Sequence, residues 1–180
     1  MTGLDDLTPG TWTIDPSHTS LGFVARHLVV AKVRGRFGAV TGAITIAPDH
    51  LASSVAAEIE MASVDTGDAG RDEHLRSADF FDIERFPTMT FASTGVAAKG
   101  SDFVVTGDLT IKGITKSVTL DLEFDGVSGD PWGGTRAGFT ATGEIDRRDW
   151  GMEFNMALDT GGVLVGEKVK LQLDIEAVRA

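Results

Sequence analysis

A two-residue alternation of apolar and polar side chains recurs along almost the whole chain. From Leu21 to Val29 the odd positions are apolar except for His27, and residues 54–61 and most of the second half repeat the pattern. A period of two is typical of strands with one buried face. About eight or nine such strands with short turns predict an all-β protein whose antiparallel sheet is long enough to close into a barrel.

One segment breaks the alternation. Between Thr66 and Phe81 no period of two is found, Asp68 can cap a helix, Asp72 lies in a first turn and Arg76 lies late. Acidic residues early and basic residues late stabilise a helix through its macrodipole. The sequence therefore predicts one short helix near residues 68–78.

The length of the chain favours one domain. A chain of 180 residues is within the range of a single β-barrel. Residues 1–10 are polar and acidic and end in Pro9 and Gly10, which predicts a flexible leader. We expect residues 11–180 to form a single barrel domain.

Composition limits the partners and the location. The chain has 27 acidic and 16 basic residues, and its formal charge of −11 would repel nucleic acid and anionic membrane surfaces. The absence of cysteine excludes disulfides and thiolate metal sites. No apolar run is long enough for a membrane span, and the N-terminus lacks the features of a signal peptide. These features predict a cytoplasmic protein that neither spans a membrane nor binds nucleic acid.

The pattern leaves the state of the barrel interior open. A barrel of about eight strands either fills with its own side chains or holds one small ligand. Small inward positions alternate with phenylalanines, which is consistent with an apolar cavity and equally with tight packing of large against small residues; the residues concerned are Ala25, Ala57, Gly107, Ala137, Ala141 and Gly143, and Phe23, Phe103, Phe124 and Phe139.

Several motifs in order resemble those of a known family. The chain reads W-x-I-D-x-x-H-T-x-x-x-F over 12–23, D-x-H-L-R over 72–76, F-P at 86–87 and D-R-x-D-W-G over 146–151. This arrangement resembles the YceI-like family over essentially the whole predicted domain. The resemblance implies an extended, lipocalin-like antiparallel barrel with a long tunnel that binds a polyisoprenoid or a similar amphiphilic chain. It also implies no catalysis and makes a homodimer plausible.

Burial of an isoprenoid chain would be driven by apolar area, with a few polar groups holding the head. His27 could orient that head or be satisfied internally as a core histidine. Arg34 and Arg36 could attract an anionic head, or form a solvated basic turn. The residues that we predict to line the tunnel, with plain hydrophobic core as the alternative, are Phe23, Val29, Phe103, Val105, Phe124, Phe139, Leu171 and Leu173.

Enzymatic alternatives have little support in the spacing of residues. The four histidines show no H-x-x-x-H or H-x-H arrangement, and no G-x-S-x-G or P-loop is present. We therefore predict no catalytic residue, no metal and no cofactor beyond a bound isoprenoid lipid. The predicted function is binding, storage or transport of such a lipid, either a polyprenyl phosphate or an isoprenoid quinone. A small barrel enzyme using His27 and a ligand-free stress-response protein are the alternatives.

Overall fold

A computed structural model describes residues 4–28, 30–156 and 164–180. Strands dominate this part of the chain, which also contains short 3-10 helices and one α-helix. The elements are β1 Gly10–Ile14, β2 Ser20–His27, β3 Ala31–Phe37, β4 Val40–Ile46, β5 Ser54–Glu60, β6 Val64–Asp65, α1 Ala69–Arg76, β7 Thr88–Lys99, β8 Asp102–Ile111, β9 Ile114–Gly129, β10 Thr135–Asp146 and β11 Val165–Arg179.

The strands close into an antiparallel barrel. Strand β1 pairs with both β4 and β11, which closes the order β1-β4-β5-β7-β8-β9-β10-β11 into a ring of eight. Strands β1 and β2 pair with successive parts of the same long strand, β11. Residues of β11 up to Asp174 pair with β2, and those from Ala177 onward pair with β1. In the same way β3 prolongs β4, and β6 prolongs β5. The predicted lipocalin-like barrel of about eight strands is confirmed.

The helix lies where the loss of alternation predicts it. Helix α1 falls within the predicted range 68–78, and Asp68 caps it by accepting a hydrogen bond from the Arg71 backbone N–H at 3.0 Å. The segment after it turns inward, and the Phe81 ring lies 5.7 Å from the Phe37 ring, centroid to centroid. Among the described residues, no helix has both the length and the apolar character that crossing a bilayer requires.

The predicted leader packs against the barrel from Leu4 onward. Leu7 is buried in a core cluster with Trp12, Ala177 and Phe139. The indole N–H of Trp12 donates to the Thr8 carbonyl at 3.0 Å. Burial of a leucine side chain contributes about 2 kcal/mol, which favours this docked position over a solvated one. The leader therefore helps to cover one end of the barrel, which we call the leader end.

Candidate functional site

The barrel encloses an elongated apolar cavity of about 310 Å³. Binding pockets for small molecules span about 300–1,000 Å³, so this volume is at the lower end of that range. The interior is therefore not filled by its own side chains, which resolves the alternative that the sequence left open. The wall includes seven of the residues predicted to line a tunnel, namely Phe23, Phe103, Val105, Phe124, Phe139, Leu171 and Leu173. Val29, the eighth, lies outside the described residues.

Two phenylalanine rings of the cavity wall lie directly against glycines of a neighbouring strand. A Cβ added to Gly35 would lie 2.3 Å from Phe23 Cζ, and one added to Gly107 would lie 2.4 Å from Phe91 Cζ. Each ring thus occupies space on the adjacent strand that a side chain in place of the glycine would fill. Glycine is the residue that allows such a close approach.

A small set of polar groups lies in this apolar wall. Ser53 Oγ accepts the Ala47 backbone N–H at 3.0 Å, and Ser93 Oγ accepts the Val55 backbone N–H at 2.8 Å. A hydroxyl that accepts a hydrogen bond still has its own O–H to donate. Both serines line the cavity toward the leader end, where strand β5 starts, and neither hydroxyl hydrogen is used in these two bonds.

His50 also lies in the wall, and its Nε2 is 3.1 Å from the Leu7 carbonyl oxygen. Because a carbonyl only accepts, Nε2 carries the hydrogen in this contact, and Nδ1 of the neutral ring is an acceptor. Sequence reasoning did not single out His50, Ser53 or Ser93. The alternation could have identified Ser93, because it lies two residues after Phe91 and four after Met89 and therefore shares their inward face.

The three polar residues predicted to meet a ligand head lie away from the wall. Arg34 and Arg36 are exposed on the outer face of β3, because side chains alternate along a strand and Phe37 faces inward. His27 is half-buried at the last position of β2, and Ala25 is the last residue of this strand to line the cavity. A register shift in β11 separates the partners of Ala25 and His27. Contact of these residues with a ligand stays a prediction.

A polar cluster outside the cavity joins Asp15, His18, Glu176 and Arg136. The Asp15, His18 and Glu176 ligand atoms lie within 4.8 Å of one another, a spacing that a metal ion could use. Arg136 Nη1, however, donates to Asp15 at 2.7 Å and to Glu176 at 2.8 Å. Hydrogen bonds from His18 and then Arg136 hold the pKa of Asp15 well below its usual range. The guanidinium supplies the positive charge, and the cluster ties the turn after β1 to β10 and β11.

Comparison with known proteins gives the family. The family model described as YceI-like domain matches residues 12–177. This chain belongs to the YceI-like family. It is 42% identical over 170 residues to a UPF0312 protein of Staphylococcus aureus strain MSSA476, an alignment that covers 92% of this chain and 95% of the relative.

Three solved structures share the barrel. The Campylobacter jejuni YceI protein has a TM-score of 0.73 and 29% identity, covering 86% of this chain and 90% of that one. Burkholderia cenocepacia BcnA has a TM-score of 0.77 at 24% identity, covering 91% and 99%. A polyisoprenoid binding domain from Saccharophagus degradans has a TM-score of 0.72 at 17% identity, covering 94% and 98%. The last two likenesses establish the fold alone.

Proposed function

We propose that this YceI-like protein binds one isoprenoid lipid in its barrel cavity and thereby stores or transports it. The observation that carries the proposal is the apolar cavity of about 310 Å³ inside a closed barrel. Apolar surface that leaves water contributes about 25 cal/mol per Å², so a hydrocarbon chain gains most of its affinity from such a wall. The Saccharophagus degradans domain of the same fold, described as polyisoprenoid-binding, adds support.

The chemistry of the wall favours an uncharged head group. Among the described residues, no lysine or arginine lines the cavity. A buried phosphate without a counter-charge would carry a large desolvation cost. Ser53 and Ser93 instead offer O–H donors, which match the carbonyl oxygens of a quinone. Of the two predicted ligands, we therefore favour the isoprenoid quinone over the polyprenyl phosphate.

The proposal requires no chemical step and no cofactor beyond the lipid itself. A cytoplasmic location and a homodimer stay predictions, which cell fractionation and analytical ultracentrifugation can check. Turnover of a hydrophobic substrate that is lost in a folded His27→Ala variant, but not in His18→Ala, would support the enzymatic alternative instead.

A matched pair of cavity variants tests the binding site. Ala57 lines the cavity, whereas its neighbour Ala56 is exposed on the outer face of the same strand. We expect an added isoprenoid quinone to bind the wild type and Ala56→Trp in native mass spectrometry, and to fail to bind Ala57→Trp because the indole fills the cavity. Absence of binding to the wild type, or equal binding to both variants, would contradict the proposal.

The position of the head group has its own test. Replacement of Ser53 and Ser93 by alanine removes two hydrogen bonds to the quinone, each contributing about 1 kcal/mol, so affinity should fall roughly 30-fold. The control pair is Ser117→Ala with Ser128→Ala, both exposed on β9. Affinities are compared by tryptophan fluorescence titration, after thermal unfolding has shown that each variant is folded. A polyprenyl phosphate of equal chain length that binds more tightly than the quinone would reverse the choice of ligand.

A further inference from the structure

The outer face of three neighbouring strands carries a cluster of cations. Exposed lysine and arginine side chains project from β3 and from the first half of β11, with β2 between them. We call this surface the basic face; its residues are Lys32, Arg34, Arg36, Lys168 and Lys170. Register brings the two strands together, since Lys170 lies opposite Val24 and Val24 lies opposite Arg34. Two strand spacings separate Lys170 from Arg34, which is about 10 Å.

Carboxylates border the basic face on the flanking strands β10 and β6, and Glu167 of β11 precedes Lys168. Among the described residues, Lys168 is the only member of the basic face that forms an ion pair within 4.0 Å. Its Nζ lies 3.6 Å from an Asp146 carboxylate oxygen. In register, Glu144 lies opposite Lys170 and Asp65 lies opposite Arg36. The other outward positions in the centre of the face carry no negative charge, namely Val24, Arg26 and Gln172. Five of the 16 basic residues of a chain with a formal charge of −11 thus share one face.

An exposed apolar turn adjoins the basic face. Leu28 and Val30 follow β2 and lead directly into β3, which begins one residue before Lys32. The exposed fraction is 40% for Leu28 and 86% for Val30, so both side chains meet solvent. Apolar side chains next to lysine and arginine form the pattern of surfaces that lie in a membrane interface.

We propose that the basic face and its apolar turn dock this protein on an anionic phospholipid surface. Cations contact the lipid phosphates while Leu28 and Val30 enter the headgroup region, a combination that a nucleic acid or an acidic protein would not require. The formal charge of the whole chain does not prevent this contact. At physiological ionic strength the Debye length is about 8 Å, so carboxylates on the far side of the barrel are screened. The docking does not depend on which lipid occupies the cavity.

Vesicle sedimentation tests the docking surface. Wild-type protein is mixed with vesicles of phosphatidylcholine alone, or of phosphatidylcholine with phosphatidylglycerol, at roughly 0.15 M and roughly 1 M salt. We expect binding to the anionic vesicles only, and loss of that binding at high salt. A triple variant, Lys32→Gln with Arg34→Gln and Arg36→Gln, should bind roughly 100-fold more weakly, because each cation near the surface contributes about a fivefold factor.

A matched control separates the face from the total charge. Lys99, Lys116 and Arg179 are exposed on other parts of the barrel, and their replacement by glutamine changes the net charge equally. This control should bind vesicles as the wild type does, and Val30→Ser should bind more weakly. Equal loss in both triple variants, or binding that does not depend on phosphatidylglycerol, would overturn the proposal. Salt-sensitive binding to a duplex DNA without binding to vesicles would overturn it as well.

Discussion

At the scale of single residues, Arg147 is a buried cation that carbonyl groups hold in place. Only 4% of it is exposed. Its guanidinium donates from Nε to the Gly166 carbonyl at 2.9 Å, from Nη1 to Met152 at 2.6 Å and from Nη2 to Val165 at 3.3 Å. Burial lowers the pKa of Arg147 from its ordinary value, although arginine stays charged in proteins. It thus joins the end of β10 to the start of β11.

The contribution of Arg147 can be measured with a matched neighbour. Arg147→Met should lower the free energy of unfolding by about 3 kcal/mol, because one buried and two partly buried carbonyls lose a charged donor. Arg148, the control, is half-exposed and pairs with Asp146 and Glu167. Arg148→Met should cause a much smaller loss. Urea unfolding measures both, and equal losses would show that the buried contacts of Arg147 contribute little.

Asp15 makes stability depend on pH. Its pKa is depressed in the folded state by His18 and Arg136, whereas an unfolded aspartate titrates near about 3.9. The stabilisation is therefore complete above about pH 5 and is lost progressively as the pH falls through the unfolded pKa toward the depressed folded one. The midpoint of thermal unfolding should fall more steeply with acid in the wild type than in Asp15→Asn. Asp174→Asn, an exposed carboxylate on β11, should retain the wild-type slope.

At the scale of elements, strands β2 and β3 are matched in shape as well as in hydrogen bonding. Phe23 is opposite Gly35 in the register, and the ring fills the space above that glycine. The Phe23 and Phe37 rings are 5.6 Å apart, centroid to centroid, which continues the contact along the wall. The contact between Phe23 and Gly35 therefore determines how far the Phe23 ring extends into the cavity.

A change at Gly35 should reshape the cavity. Gly35→Ala would push the Phe23 ring inward, costing about 1–3 kcal/mol of stability and weakening isoprenoid binding. Gly38→Ala is the control, because a Cβ there meets no atom within 4 Å, and it should be neutral or slightly stabilising. Chemical unfolding and quinone titration measure the two effects. Unchanged binding in Gly35→Ala would show that Phe23 has another position available.

At the scale of the whole molecule, the barrel closes around space that its side chains leave empty. A dry apolar cavity costs stability, because the atoms of its wall lack partners for dispersion contacts. One core cluster contains Phe37, Phe81 and Trp150, and the other joins Leu7 to Trp12. The cavity wall includes residues of both clusters, so an occupant would contact both.

Occupancy should therefore raise stability in a concentration-dependent way. A ligand that binds only the folded state adds about 2.7 kcal/mol at 100 times its Kd, which corresponds to about 5–11 °C for a protein of this size. We expect delipidated protein to show this increase in Tm with isoprenoid quinone. Ala57→Trp should show no such increase. A Tm that is independent of ligand in the wild type would contradict a cavity that binds it.

Much of the local arrangement could be predicted from the sequence. Alternation placed Phe23, Phe103 and Leu171 on inward faces, and the change of period located α1. Both follow from local geometry, since residues two apart share a face of any strand. The same rule did not show that Leu7 is buried, because two of its neighbours in the core, Phe139 and Ala177, are far from it in the chain.

The sequence by itself determined which side chains share a strand face, and it carried the motifs of the YceI-like family. Only the tertiary structure decided that the interior is open, that Ser53 and Ser93 meet it, and that Lys170 lies beside Arg34 on the outer face. These facts depend on strand order, on register and on the close approach of rings to glycines. Pairing between distant segments sets all three, and no local period encodes it.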